Sequence, residues 1–240
     1  MLNALIRKSR QVIEDPVLRQ WLIGRALGRY QGEPAFTPHR PPYLDGLLAL
    51  KQQSPNPPVS FSTLEVGRPQ SAITLPLPGE NVILNPGDEH ALFKLEFKDT
   101  ETLLAIHRFA WVPLLGKDID PAWVNALWQA WRDTYRQPSH DWPWHPYTAT
   151  ERAINILDFA GRRGLPGPVD DTLELLAAHG PAIGEQLEYF GDHHTSNHMA
   201  NNGRGLFRLG LALGIEAYAD MGAQILLVEA TRIFRPSGIL

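Results

Sequence analysis

Gly203, Gly205 and Gly210 fall inside one helical pattern running from residue 197 to 213, and they constrain the fold more than any other feature of the chain. A glycine in a helix interior costs about 1 kcal/mol relative to alanine. Three of them within eight residues are expected where neighbouring helices approach closely, which makes this an inner helix. Met199, Gly203, Leu206, Gly210 and Leu213 form its apolar stripe. Asn197, Asn201, Arg204 and Arg208 lie on another side, with His198 and Asn202 on the adjoining flank. Asp192, His193, His194 and Ser196 crowd the approach to the helix. Amides and imidazoles are costly to bury without partners. The cluster therefore either caps and cross-links a helix or holds a ligand.

The rest of the chain reads as helices after a mixed N-terminal region. Residues 1 to 30 carry an amphipathic pattern, with Val12, Leu18, Trp21 and Leu22 among Arg and Lys. A Pro-rich connector from Pro34 to Pro58 cannot sustain a helix. Residues 59–66 and 91–97 alternate like short strands, and Pro-Gly pairs at 78–79 and 86–87 mark turns. From Thr100 onward the periodicity is helical. Asp120-Pro121 opens a helix to Tyr135, and Thr148 to Glu151 has capping-box spacing before the next one. Asp170 or Asp171 caps the segment to His179, Gly180-Pro181 interrupts it, and Ile183 to Phe190 resumes. Ser196 or Asn197 opens the helix to Leu213, and Asp220 opens another to Phe234. Helices of about four turns joined by short loops imply antiparallel neighbours stacked in pairs. The expected fold is mainly α, an incomplete α/α toroid over residues 99–240, preceded by a small extended or β region over residues 1–98.

Composition narrows the function classes. A net charge of −4 gives no global reason to bind nucleic acid or a membrane surface. Without cysteine there is no disulfide, thiolate nucleophile or Cys-ligated metal. No run has the length of a membrane span, and Met1 to Gln20 lacks the apolar core of a signal peptide, which leans towards the cytoplasm over the periplasm. His194 and His198 stand at i, i+4 near Asp192, but the Glu of a zinc-protease motif is missing, so no metal and no cofactor is expected.

An amide and an imidazole beside a helix N-terminus suit the acidification of a carbon next to a carboxylate. The C5 proton of a uronic acid is not removable while its carboxylate is a full anion. Hydrogen bonds from Asn and His stabilise the enolate as it forms. A base then takes the C5 proton, and a donor protonates the departing 4-oxygen.

His107-Arg-Phe-Ala-Trp-Val112, the segment from Trp142 to Asn155, and Ser196-Asn-His-Met-Ala-Asn-Asn-Gly-Arg-Gly-Leu206 resemble the helical toroid domain of heparinase II/III-like polysaccharide lyases. The likeness covers roughly residues 95 to 240, and Asn-His followed by a Gly-Leu helix is its most recognisable string. The resemblance implies a lyase that cleaves uronic-acid-containing polysaccharide by β-elimination, with Asn197 and His198 contacting the uronate carboxylate and His198 as a possible base. It also implies a Tyr acid/base and a His from a C-terminal β-sandwich. No Tyr of this sequence stands in the expected place, so the chain is expected to be the N-terminal part of such an enzyme. A missing C-terminal half or companion chain would then complete it.

The remaining candidates carry plain alternatives. His194, Asn201, Arg152, Trp142 and Trp144 are taken as substrate-binding residues. Arg152 either pairs structurally or grips a carboxylate in bidentate fashion. Trp142 and Trp144 either stack on sugar rings or pack in the core. His107 is more simply structural, and Trp123, Trp128 and Trp131 are core residues. The rival function is a non-catalytic carbohydrate-binding or assembly module in the making or export of an acidic polysaccharide. A toroid glycosidase would need a pair of cavity carboxylates, and only Asp192 and Glu188 stand near the motif.

Overall fold

The computed structural model describes residues 12–13, 16–29, 38–191 and 197–233. It is mainly helical. Helix α1 (Pro16–Ala26) is followed by a hairpin of β1 (Ile73–Pro76) and β2 (Asn81–Leu84). Then come α2 (Glu89–Leu92), α3 (Thr100–His107), α4 (Trp111–Leu115), α5 (Pro121–Tyr135), α6 (Pro146–Arg163), α7 (Val169–Glu185), α8 (Asn197–Leu213) and α9 (Glu216–Ile233).

The strands lie elsewhere than the alternation predicts. The hairpin pairs Ile73 with Leu84 and Pro76 with Asn81 around the Pro78-Gly79 turn. Residues 59–66 contribute a single bridge, Thr63 to Leu165, and the 91–97 stretch begins as the end of α2. Leu92 and Phe93 are buried beside α5, so their apolar spacing serves a helical turn and the loop after it.

Among the described helices, side-chain caps open α3 and α5. Asp99 accepts from the amides of Glu101 and Thr102, and Asp120 accepts from Ala122 with Pro121 in the first turn. Helix α6 begins two residues before Thr148, with His145 as its N-cap and Pro146 at the first position. Thr148 is then an interior, buried residue rather than a cap. Helix α9 starts at Glu216, earlier than Asp220, because Gly214 adopts a φ of +67° and turns the chain at once after α8.

Gly180-Pro181 does not interrupt α7, which runs through both residues. Proline removes the amide that would bond the Ala177 carbonyl. The Tyr218 hydroxyl donates to that carbonyl instead, at 2.9 Å. Gly180 makes room for it, since a Cβ there would collide with the Tyr218 ring. Helix α7 ends at Glu185, and Gln186 to Phe190 leave it without a further helix.

Helices α8 and α9 pack antiparallel, and Gly203, Gly210 and Gly222 form the contact. A Cβ on Gly210 would meet the backbone of Ala219, and one on Gly203 would lie 2.7 Å from Ile225 Cγ2. Gly205 faces the other way, against Thr150 of α6. The glycine-rich helix is thus an inner helix with neighbours on two sides. Pairs between α6 and α8 rise in step: Glu151 with Arg204 at 2.5 Å, then Asp158 with Arg208. Those two helices therefore run in the same direction, with α7 returning between them in sequence.

One buried cluster extends from Leu44 and Leu75 through Trp123, Trp128 and Trp131 to Leu206 and Ile225. Trp123, Trp128 and Trp131 are core residues, as their spacing predicts. Among the described residues no helix is long and apolar enough to cross a membrane.

Candidate functional site

Arg152 sits at the centre of the core and is fully buried. Its Nη1 donates to the carbonyls of His107 at 3.1 Å and Pro143 at 2.6 Å. Its Nε donates to His179 Nε2 at 3.0 Å. The guanidinium lies 3.8 Å from the Trp131 ring centre and 5.0 Å from that of Trp144. Burial and this cation push the basicity of His179 far down, and His107 falls to about 3 for the same two reasons. Both imidazoles are neutral acceptors here, for Arg152 at His179 and for Trp131 Nε1 at His107. The substrate-binding expectation for Arg152 and Trp144 is corrected by this packing. Neither side chain reaches the surface, and Trp144 Nε1 is committed to the Tyr135 carbonyl at 2.7 Å. His107 is structural.

A second cluster of the same residue types opens to solvent. His198, on the first turn of α8, bonds through Nδ1 to Glu188 Oε1 at 2.8 Å. The same oxygen lies 3.5 Å from Nε2 of His145, the N-cap of α6. On the other side of His198 stands Tyr147, its ring centre 4.5 Å away. Arg108 lies over the Tyr147 ring at 4.7 Å and pairs with Glu101 at 3.0 Å. Burial raises the Tyr147 pKa, Glu151 adds to the rise, and Arg108 opposes it. The phenol is therefore protonated at neutral pH and is a proton donor. Burial lowers the basicity of His145, while Glu188 pulls it back up.

The backbone supplies this arrangement locally. Phe109 is buried with a φ of +55°, a conformation that non-glycine residues adopt at a cost. It turns the chain sharply between α3 and α4, and the Asn155 amide of α6 holds the Arg108 carbonyl at 2.9 Å. Pro146 sets the start of α6, so His145 and Tyr147 both emerge at its N-terminal end.

Several polar atoms around the site are buried without a hydrogen bond. They include His145 Nδ1, Glu188 Oε2, Arg108 Nε and the side-chain nitrogens of Asn201 and Asn202. Unsatisfied buried groups are uncommon and call for an explanation. His145 and Glu188 also line a cavity of about 520 Å³ shared with Leu50, Gln186 and Phe190. A separate pocket of about 460 Å³ between residues 67–70 and α5 shares no residue with it.

The sequence-derived candidates divide accordingly. His198 is at the cluster, partly exposed, and Asn201 lies one turn along the same helix, half-buried. Asn197 is exposed at the start of α8, which corrects the expectation that it points inward. Trp142 is 48% exposed and stands 5.5 Å from the His145 ring, so it borders the cluster. His194 lies outside the described residues. Sequence reasoning passed over Tyr147, His145 and Arg108, and weighed Glu188 only as half of a glycosidase pair. The His145-Pro146 step was the available signal, because proline in a first helical turn places the preceding residue at the cap.

Among the described residues no group of three His, Asp or Glu side chains has the geometry of a metal site. Comparison of the chain with protein-family models, with curated proteins and with solved structures finds no match.

Proposed function

We propose that the cluster around His198 and Tyr147 is the proton-transfer site of a polysaccharide lyase acting on uronic-acid-containing chains. The observation that carries this reading is the pairing of a histidine with a protonated tyrosine, 4.5 Å apart, at a partly open surface flanked by unsatisfied amides. β-Elimination needs those groups. A base removes the C5 proton, the electron pair forms the C4–C5 double bond, the C4–O bond breaks, and a donor protonates the leaving oxygen. His198 takes the role of base and Tyr147 that of donor. The amide of Asn201, one turn into α8 from its N-terminal end, receives the carboxylate as negative charge develops on it. The 520 Å³ cavity beside His145 gives the neighbouring sugar a place to lie.

We further propose that α6 to α9 form part of an α/α toroid. Two antiparallel hairpins whose first helices run in the same direction are the repeating unit of such a ring, and the ion pairs between α6 and α8 fit that geometry. The resemblance on residues 107–112, 142–155 and 196–206 supports the toroid and the role of His198, while the role of Tyr147 rests on its geometry beside His198.

The test is incubation of the complete gene product with alginate, heparan-type and other uronans, following the unsaturated product by ultraviolet absorbance. Turnover that is lost in His198→Ala and Tyr147→Phe supports the lyase. Saturable binding of a uronan oligosaccharide with no product from any polymer replaces it with the binding-module reading. Neither binding nor product ends both.

A further inference from the structure

Glu188 is the residue at this site that no catalytic scheme yet uses. It follows the end of α7, outside regular structure, yet its side chain is only 15% exposed. A carboxylate that is mostly buried must be held by donors or lose much of its hydration free energy uncompensated. Among the described residues its Oε1 has two, Nδ1 of His198 at 2.8 Å and Nε2 of His145 at 3.5 Å, from the heads of two different helices. Oε2 is buried with no partner.

We propose that Glu188 is a positioning residue, which fixes His198 as the tautomer protonated on Nδ1 and holds its ring against Tyr147. A carboxylate accepts only, so the neutral imidazole bound to it must place its proton on Nδ1 and its lone pair on Nε2. Free imidazole side chains divide between the two tautomers. Binding to Glu188 removes that choice, and it also removes rotation of the ring, because His198 is gripped on one side and meets Tyr147 at 4.5 Å on another. His145 serves as the second anchor of the carboxylate. Arg108 and Tyr147 face this pair from the turn after α3 and from α6, while Arg40, His140 and Glu185 border the adjoining cavity.

The proposal deepens the lyase reading, which gives the Nε2 lone pair its use, but its test does not depend on turnover. Nitrogen-15 spectra of the imidazole side chains of the full chain report the tautomer of each histidine. Wild type is expected to show His198 protonated on Nδ1 at a pH where the ring is neutral. Glu188→Ala is expected to return His198 to a mixture dominated by Nε2 protonation. Glu188→Gln keeps the shape and guards against loss of fold. In that variant the titration of His145 moves to lower pH, because the carboxylate that raises it is gone. A wild-type His198 protonated on Nε2, or a tautomer and a His145 titration that ignore both substitutions, overturns the proposal. If the spectra behave as expected while no uronan is cleaved, the positioning role stands and the lyase reading falls. Where turnover is measurable, Glu188→Gln should lower kcat and change its pH profile with little change in KM.

Discussion

Helix α6 carries both an arginine–aromatic cluster that is dry and, one turn away, one that is wet. In the first, Arg152 lies over Trp131 with His107 and His179 around it, all buried. In the second, Arg108 lies over Tyr147 with His198 and His145 alongside, all partly open. The residue types are nearly the same. What separates them is where the hydrogen bonds go. Arg152 spends Nε and Nη1 on a neutral imidazole and main-chain carbonyls, which ties the loop before α6 and the end of α3 to the core, while its Nη2 is buried with no hydrogen bond. The outer cluster leaves donors and an acceptor unmatched beside a cavity. Both clusters keep an unmatched polar atom, so it is partial exposure and the adjoining cavity that make the outer one a place a ligand can reach.

Acid should separate the two clusters most widely. His107 and His179 have folded-state basicities pushed below the ordinary value of 6.5, to about 3 for His107. The unfolded chain therefore binds more protons below pH 6.5. Stability is complete above that pH and falls as pH drops, by about 1.4 kcal/mol per unit for His107 until its folded pKa is reached. Urea midpoints measured between pH 7 and pH 4 should decline on this account, and a His107→Gln variant should decline less. A flat profile would mean that the dry cluster is not dry.

Arg152→Met comes next. It strands His179 Nε2 and the carbonyls of His107 and Pro143, with an expected loss of about 3 kcal/mol or more in urea unfolding. Gly205→Ala probes the seam between the clusters, since its Cβ would lie 2.5 Å from Thr150 Cγ2 and press α8 off α6. Overpacking of this kind costs about 1–3 kcal/mol, partly offset by helix propensity. Its fluorescence or NMR signature should include Tyr147 and His198, and a change confined to α9 would break the assumed seam. Smallest in stability is His198→Ala, expected to cost about 1 kcal/mol because it withdraws the nearer donor from Glu188, while uronan turnover disappears. A large loss of stability there would return His198 to the structural class.

The two clusters also explain what could be read from sequence. Helical periodicity, the Asp120 cap and the three glycines of α8 are local signals with local causes, and the structure follows them. Arg152 is hard to tell from a ligand contact because its fate depends on which way α6 rotates, and periodicity over a helix with buried Thr148, Thr150 and Arg152 hides its apolar face, while Trp144 stands in the short turn before α6, where no periodicity applies. Glu188 and His198 meet across ten positions of sequence, yet Tyr147 and Arg108 come from elements far upstream. Such a meeting is a tertiary fact. The 59–66 and 91–97 segments alternate as strands do, but alternation specifies a half-buried surface and not a pairing partner.

Pro181 leaves a lasting mark on how the chain must assemble. The carbonyl it orphans in α7 is answered by a hydroxyl 41 positions later. A nascent polypeptide that has emerged only as far as α8 holds a helix with a vacancy at its waist, filled by solvent. Arrival of α9 exchanges that solvent for Tyr218, so the last hairpin completes a rod made long before it.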